Sequence, residues 1–418
     1  MEFIADLHIH SKFSRATSGD MIISKIAEAA ELKGITLVGT GDFTHPEWLT
    51  MLRNDLIEQG NGIHKYQNTY FMLTAEVNNI YPKNGKLRRI HNVLFTPSFE
   101  SAEKINKFLS KYGNLSSDGR PLLSLDSKHL LAKMLEIDPL NVLVPSHIWT
   151  PWFSLFGSKS GFDSIEECFD ELSPAIIALE TGLSSDPQMN WTLSALDNYT
   201  LISNSDAHSP SRLGREANVL DCQISYNEIR DVLKTKDKQR FLYTIEFFPE
   251  EGKYHFDGHR NCNIVLSPQE SVANDDICPV CGKQLTIGVA HRVRLLADRE
   301  DGYVPDNAMP YKNLIPLEEI IAEALDMGRD SITVKNQYLK LVKALGGEFN
   351  VLLSVPITEI TYNSDQRIAY AVELVRAGKV KIAPGYDGVF GKVSILASET
   401  KKMTENSIEP EQNQMKLF

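Results

Sequence analysis

The stretch "EFIADLHIHSKFSRATSG" (residues 2–19) opens on alternating apolar residues and then sets Asp6, His8 and His10 two apart. Alternation over so short a run predicts a strand, and residues at i and i+2 of a strand point to one side. His8 and His10 can therefore turn their nitrogens toward one ion. The next segment, "SGDMIISKIAEAAELKG" (18–34), carries cap candidates Ser18 or Asp20, apolar positions Ile22, Ile26 and Ala29/Ala30, and a stop at Gly34. It reads as a helix, and "ITLVGT" (35–40) reads as a second strand. Strand, helix, strand is the start of a βα series and of an α/β fold with a mainly parallel sheet or barrel.

The series continues to about residue 225. Further strands are expected at 71–77, 89–95, 141–146, 175–180, 200–205 and 217–222, with helices such as 101–111 and 188–196 between them. Their ends share a character. The first strand ends in His8 and His10, the second runs into Asp42 and His45, and the others carry Glu76, His91, His147, Glu180, and finally Asp206 and His208. The carboxyl ends of barrel strands converge on one face, where active sites form. Mixed imidazole and carboxylate donors suit Zn, Mn or Fe better than Mg or Ca. So many donors exceed the needs of one ion, and a carboxylate such as Glu76 can bridge two. Paired divalent ions clamp the attacking and leaving oxygens of an in-line phosphoryl displacement. The expected cofactors are two to three divalent ions (Zn, Mn, Mg or Fe).

Composition is that of a globular protein: 418 residues, 42% hydrophobic, 23% charged. The longest apolar runs fall far short of the ~18–20 residues needed to cross a bilayer, so no membrane partner and a cytoplasmic location are expected. Five cysteines, an odd number, argue against a secreted disulfide framework. His259, Cys262, Cys278 and Cys281 form two ligand pairs, HxxC and CxxC, at the spacing of one structural zinc. His255 and His291 are rivals for the fourth position, and a redox dithiol is the other reading of "CPVC". Cys168 and Cys222 read as packing residues.

The net charge of −12 speaks against nucleic acid, yet basic clusters at 83–92, 230–240 and 290–299 allow local phosphate contact. Arginine is the natural partner of backbone phosphate, and the candidates are Arg15, Arg88, Arg89, Arg212, Arg215, Arg292 and Arg294. The aromatic loop 147–162 offers Trp149, Trp152 or Phe153 as a base pocket or wedge. Residues 315–345 read as amphipathic helices and 383–393 as a glycine-punctuated turn.

The order HxH, "GDFTH", Glu, His, His, "SDAH" resembles the PHP (polymerase and histidinol phosphatase) superfamily. That resemblance implies a distorted seven-stranded βα barrel, followed here by a zinc module and a small helical region. It assigns His8, His10, Glu76 and Asp206 to one ion, Glu76, His91 and His147 to a second, and a second-motif donor, Asp42 or His45, with His208 to a third. The catalytic set becomes His8, His10, Glu76, Asp206 and His208. Expected divisions are the barrel at 1–225, the zinc module at 226–300, a DNA-contacting helical region at 301–395 and a tail at 396–418. Within the superfamily, "DLHIHSKFSRATSGDM" (6–21), "GTGDFTHPEWL" (39–49), "SNSDAHSPSRLGRE" (203–216), "DGHRNC" (257–262) and "CPVCGKQLTIGVAHRV" (278–293) are similar to the endonuclease Q family. This implies hydrolysis of the phosphodiester 5′ to uracil, hypoxanthine, xanthine or an abasic site in double- or single-stranded DNA, and with it a nucleoid-associated location. The alternative is a small-molecule phosphatase of the histidinol phosphatase kind. Gln412, Met415, Leu417 and Phe418 of "QNQMKLF" resemble the QxxLxLF peptide that docks onto the DNA sliding clamp, which adds the clamp as a partner.

Overall fold

Phe3 and Ala5 on the first strand, and Leu7 just beyond it, face one apolar cluster, while Ile4, pointing the other way, packs against another. Both sides of this segment are therefore buried, as in a sheet covered on two faces. The computed structural model describes residues 1–395. Its principal strands are β1 (Glu2–Asp6), β2 (Leu37–Gly39), β3 (Thr69–Lys83), β4 (Lys86–Thr96), β5 (Val142–Pro145), β6 (Ala178–Glu180), β7 (Thr200–Ile202), β8 (Ala217–Asp221) and β9 (Phe241–Glu246). Each of β1 to β8 places at least one side chain in the same inner cluster, which the helix Tyr226–Thr235 caps with Ile229, Val232 and Leu233. Helices on the outer side complete an α/β architecture.

The sheet is mixed rather than mainly parallel. β1 pairs with β2 and β2 with β3 in parallel, as β6 does with β7 in a separate two-stranded sheet, but β3–β4, β4–β5, β1–β8 and β8–β9 are antiparallel. The cause at β3–β4 is a two-residue hairpin. Asn84 (φ 53°) and Gly85 (φ 71°) both adopt the left-handed conformation that a tight primed turn requires. The expected runs 71–77 and 89–95 are the inner parts of these two long strands.

The first helix spans Ile23–Lys33 and ends at Gly34 in the left-handed conformation (φ 83°). Neither Ser18 nor Asp20 caps it, because the chain makes a further turn at 18–22 before the helix begins at Ile23. The expected helix 188–196 is a four-residue helix, Pro187–Asn190, followed by a 3-10 turn at Ser194–Leu196. Strand pairing does not stop at residue 225: β9 joins β8, and the short strand Tyr311–Asn313 joins β9. The boundary expected at 225 therefore falls inside the main sheet. The hairpin β10 (Asp257–His259) and β11 (Ile264–Leu266) begins the cysteine-bearing module. Helices Leu317–Leu325, Ile332–Leu345, Glu348–Leu353, Ile357–Asn363 and Gln366–Arg376 form the C-terminal bundle. Among the described residues no helix is long and apolar enough to cross a membrane. The clamp-like residues 412, 415, 417 and 418 lie outside the described residues.

Candidate metal centre

His8 and His10 follow β1, held by the pairing of Ile9 with Ala207 and by the His10 N–H donating to the Ala207 carbonyl at 3.0 Å. That same connection brings Asp206 alongside. His10 Nε2 lies 3.0 Å from Asp206 Oδ1 and 3.3 Å from Glu76 Oε2, and His8 Nε2 lies 3.7 and 3.6 Å from the same two oxygens. On the other side of Glu76, Oε1 is 2.9 Å from His91 Nδ1 and 3.1 Å from His147 Nε2. One carboxylate thus faces two donor sets, His8/His10/Asp206 and His91/His147, each compact enough to enclose an ion.

The inner atoms of the first set test whether a cation fits. His8 Nε2, His10 Nε2 and Asp206 Oδ1 are buried without a hydrogen-bond partner. Buried polar atoms are ordinarily paired, so three converging orphans need a ligand. Outer carboxylates turn the rings toward that point. His8 Nδ1 sits 3.0 Å from both oxygens of Glu180, and His10 Nδ1 sits 3.0 Å from Asp42 Oδ1. A proton on Nδ1 shared with an acid leaves Nε2 as the lone-pair donor, the usual arrangement behind a metal-bound histidine. The residues present therefore fit divalent cations.

Electrostatics agree. Burial opposes ionisation of Glu76, but His91, Arg120 and His8 outweigh it and hold the carboxylate well below its ordinary range. Burial likewise opposes charge on His8 and His10, yet Glu180 and Glu76 at the first and Asp42 and Asp206 at the second hold both well above the usual imidazole value. Burial lowers His91 to about 4, leaving it neutral. Asp206 is held low by His10 and His8 against the cost of burial. A cation entering the first set must displace protons.

Three of these residues adopt left-handed backbone: Asp42 (φ 48°), His147 (φ 29°) and Asp206 (φ 46°). Such conformations cost energy and collect at functional sites. Gly182 makes room for one of them, since a Cβ there would lie 2.4 Å from the His147 Cβ.

Glu76 and His91 are not at strand ends, as expected, but within the long strands β3 and β4, whose hairpin runs past the site. Neither Asp42 nor His45 joins a donor set. Asp42 spends its oxygens on His10, the Ser11 N–H and hydroxyl, and the Ser14 hydroxyl. His45 stacks on Phe13 with ring centroids 4.2 Å apart. His208 stands at the edge, its ring 4.5 Å from that of His10 and its Nδ1 2.8 Å from the Asp206 carbonyl. The third ion expected from the second motif therefore lacks a donor cluster among the described residues. Arg120 was not foreseen: its Nη1 lies 3.0 Å from Glu76 Oε2.

His259, Cys262, Cys278 and Cys281 come together as a four-donor group, with His259 Nδ1 3.4 Å from Cys281 Sγ. Burial would raise the Cys278 thiol, but backbone N–H groups of Cys281 and Val280 and the His259 ring bring it down to about 6, favouring a thiolate ligand. His255 stacks on Phe256, and His291 Nδ1 is bound to Asp257 at 2.6 Å, so neither rival reaches the group. Cys168 and Cys222 are buried packing residues.

The arginines divide. Arg88 is buried over the Phe162 ring and donates to the Gly161 carbonyl, and Arg292 donates to the carbonyls of Phe156 and Phe162 at 2.9 and 3.0 Å. Both tie the aromatic loop down and are withdrawn from phosphate. Arg215 donates to the Ser205 carbonyl at 3.1 Å, Arg212 pairs with Glu319 at 3.2 Å, and Arg89 lies over the Phe153 ring at 5.7 Å. Arg15 and Arg294 remain exposed, beside Asp118 and Asp301. Trp149 cannot be a wedge: it is fully buried and its indole N–H donates to Asn190 Oδ1 at 2.8 Å. Phe153 packs 5.0 Å from the His91 ring, and Trp152 is exposed beside Tyr254. Beside the metal donors lies a cavity of about 300 Å³ whose wall includes His147, Glu180, Asn204 and Asp206 together with Lys253, Tyr254 and Phe390.

The comparisons with known proteins match this geometry. The lesion-specific endonuclease PfuEndoQ of Pyrococcus furiosus superposes with a TM-score of 0.85 at 33% identity, over 98% of this chain and 100% of that one. The chain belongs to the endonuclease Q family. An endonuclease Q bound to a 27-mer duplex with an abasic lesion at its active site gives a TM-score of 0.82 at 34% identity, over 94% and 97% of the two chains. YqxK of Bacillus subtilis, an uncharacterized protein, is 30% identical over 93% of this chain and 98% of its own length. MJ0043 of Methanocaldococcus jannaschii is 32% identical over 59% of this chain, a match covering 31% of that protein. Residues 316–379 match the family model of the MJ0043 C-terminal domain.

Proposed function

We propose that the protein is a metal-dependent DNA repair endonuclease that cuts the phosphodiester on the 5′ side of a damaged nucleotide. The observation that carries this is the Glu76 carboxylate set between two buried donor groups, within a fold shared along nearly its whole length with a lesion-specific endonuclease. The damage class includes abasic sites, by the relative's duplex substrate, and extends to uracil, hypoxanthine and xanthine. A base inside a duplex is out of reach of a concave site, so the nucleotide is extruded. The cavity beside His147 and Asp206 is the receptacle, in place of the pocket expected around Trp149.

Divalent ions, when bound, supply charge neutralisation for in-line displacement at phosphorus. The chain's own contribution is orientation: Glu180 and Asp42 fix His8 and His10, Glu76 spans the two donor sets, and the Arg120 guanidinium offers a charge at the rim for a phosphate oxygen. Of the other arginines, Arg15 and Arg294 remain placed for backbone phosphate. The four-donor cysteine and histidine group holds one structural zinc.

The finer architecture we propose is a closed seven-stranded barrel, β1 to β7 in chain order. Closure past β5 is supported by the Ile148 N–H donating to the Glu180 carbonyl at 3.0 Å, and at β7 by the Ala207–His10 bond. The domains follow: the barrel, the zinc module, the C-terminal bundle and a tail whose last residues bind a sliding clamp.

The decisive test incubates the protein and Mn²⁺ or Mg²⁺ with labelled duplexes carrying one abasic site, uracil or hypoxanthine, beside histidinol phosphate. Nicking 5′ to the lesion is expected, lost in His8→Ala and Asp206→Ala with folding intact. Release of phosphate from histidinol phosphate without nicking would overturn the reading.

A further inference from the structure

The glycine-punctuated turn 385–391 links the short antiparallel strands Lys381–Ala383 and Lys392–Ser394. It is fastened to the cysteine-bearing module at several points. The Arg260 N–H donates to Asp387 Oδ2 at 2.7 Å, the Thr286 hydroxyl to Asp387 Oδ1 at 2.7 Å, and the Tyr386 hydroxyl to Asn263 Oδ1 at 2.9 Å. Tyr386 packs so closely on Gly258 that a Cβ there would lie 2.3 Å from its ring. Two of these anchors are set by the zinc group itself: Arg260 lies between His259 and Cys262, and Asn263 follows Cys262. Asp387 (φ 40°) and Gly388 (φ 84°) hold the turn in a left-handed conformation.

What this braced turn presents is Phe390. Its ring is 73% exposed, lies at the mouth of the cavity beside the metal donors, and has the Lys253 ammonium 5.7 Å from its centre. An exposed phenyl on a segment tied down by so many bonds is poorly explained by packing. Trp152, also exposed, is engaged edge-on with the cavity residue Tyr254. Aromatic planes stack on bases of any sequence, and apolar side chains separate base steps.

We propose that Phe390 stacks on the base pair flanking the lesion and fills the gap left in the duplex by the extruded nucleotide, and that the zinc module is the brace that holds it there. This rests on the endonuclease reading. Phe390 is then needed far more for a lesion in a duplex than for one in a single strand, where no neighbouring pair must be parted. Asp387 is a positioning residue for the same ring.

The experiment uses the full chain with Mn²⁺ and one labelled lesion strand, alone or annealed, with 2-aminopurine beside the lesion to report unstacking. Phe390→Ala is expected to lower single-turnover duplex nicking by about 10- to 100-fold, to abolish the fluorescence rise on binding, and to lower single-strand nicking far less. Phe390→Trp should keep all three. Asp387→Ala should reproduce the duplex-selective loss and add nothing in the Phe390→Ala background. Equal losses on both substrates, or none, would overturn the proposal while the endonuclease reading stands. A wild-type protein that nicks neither substrate overturns that reading, and this one with it.

Discussion

Asp42 shows how a single side chain can carry the chemistry of a metal site without touching the metal. It accepts from Ser11 and Ser14 and fixes the proton of His10 on Nδ1. Asn at this position can offer Nδ1 a donor and push the proton onto Nε2, the atom that must hold the ion. Asp42→Asn should therefore weaken Mn²⁺ binding by about 10- to 100-fold, the usual cost of losing such a partner. Calorimetric titration measures it directly, and nicking should return as Mn²⁺ is raised. An unchanged affinity would assign Asp42 a purely structural part. From sequence, ligand and orienter were indistinguishable, because both are acids at strand ends and only the reach to the shared centre separates them. Arg120 left no such trace. It sits in the loop between the helix Phe99–Leu109 and the short strand Leu122–Leu123, outside the strand-end pattern that revealed the histidines.

Among the strands, β8 and β9 pose a different problem. Ala217 pairs with Ile245, so Glu216 and Glu246 stand opposite one another at the next position of an antiparallel ladder, both fully buried. Like charges so placed repel. Burial pushes Glu246 up to about 8, with Asp186 adding to it, and raises Glu216 as well, with Glu246 and Glu180 adding. A raised carboxyl keeps its proton in the folded state after the unfolded chain has lost it. The share of stability that Glu246 contributes should therefore fall as pH rises from 4.5 to about 8. Glu246→Gln retains an acceptor for Thr181 and Ser203, whose hydroxyls donate to Glu246 Oε2 at 3.2 and 3.1 Å. It should flatten this slope and unfold at a higher temperature than wild type at pH 8.5, as read by thermal melts across pH. A variant that keeps the wild-type slope in this window would refute it. The strands themselves were legible as apolar runs, but their directions were not. The Asn84–Gly85 signal that reverses β3 into β4 lay inside a run read only as basic, and one overlooked turn converts a parallel expectation into a mixed sheet.

Joining the sheet to the C-terminal bundle is a buried ion pair that no local pattern could announce, since its members are 315 positions apart. Lys33, at the end of the first helix, places its ammonium 2.8 Å from Glu348 Oε2, and both side chains are nearly inaccessible. The carboxylate is fully committed: the Tyr338 hydroxyl donates to Oε2 and the Leu317 N–H to Oε1, each at 2.9 Å. Burial disfavours the charged carboxylate, but Lys33 outweighs it and depresses its pKa. The stabilisation it gives is thus present above the ordinary carboxyl range and lost as pH falls through the depressed value. Removing one partner leaves the other charge buried and alone, which costs about 3–5 kcal/mol. Glu348→Ala should show that loss in urea titration at pH 7, whereas Lys33→Met with Glu348→Leu should recover only part of it, since apolar residues replace the ion pair at little cost but leave the Tyr338 hydroxyl and the Leu317 N–H without their acceptor. Because neither residue bonds to a metal donor, the double variant should nick lesion duplexes at the wild-type rate at 25 °C. A Glu348→Ala protein as stable as wild type would mean that the sheet and the bundle are held together by their apolar faces alone.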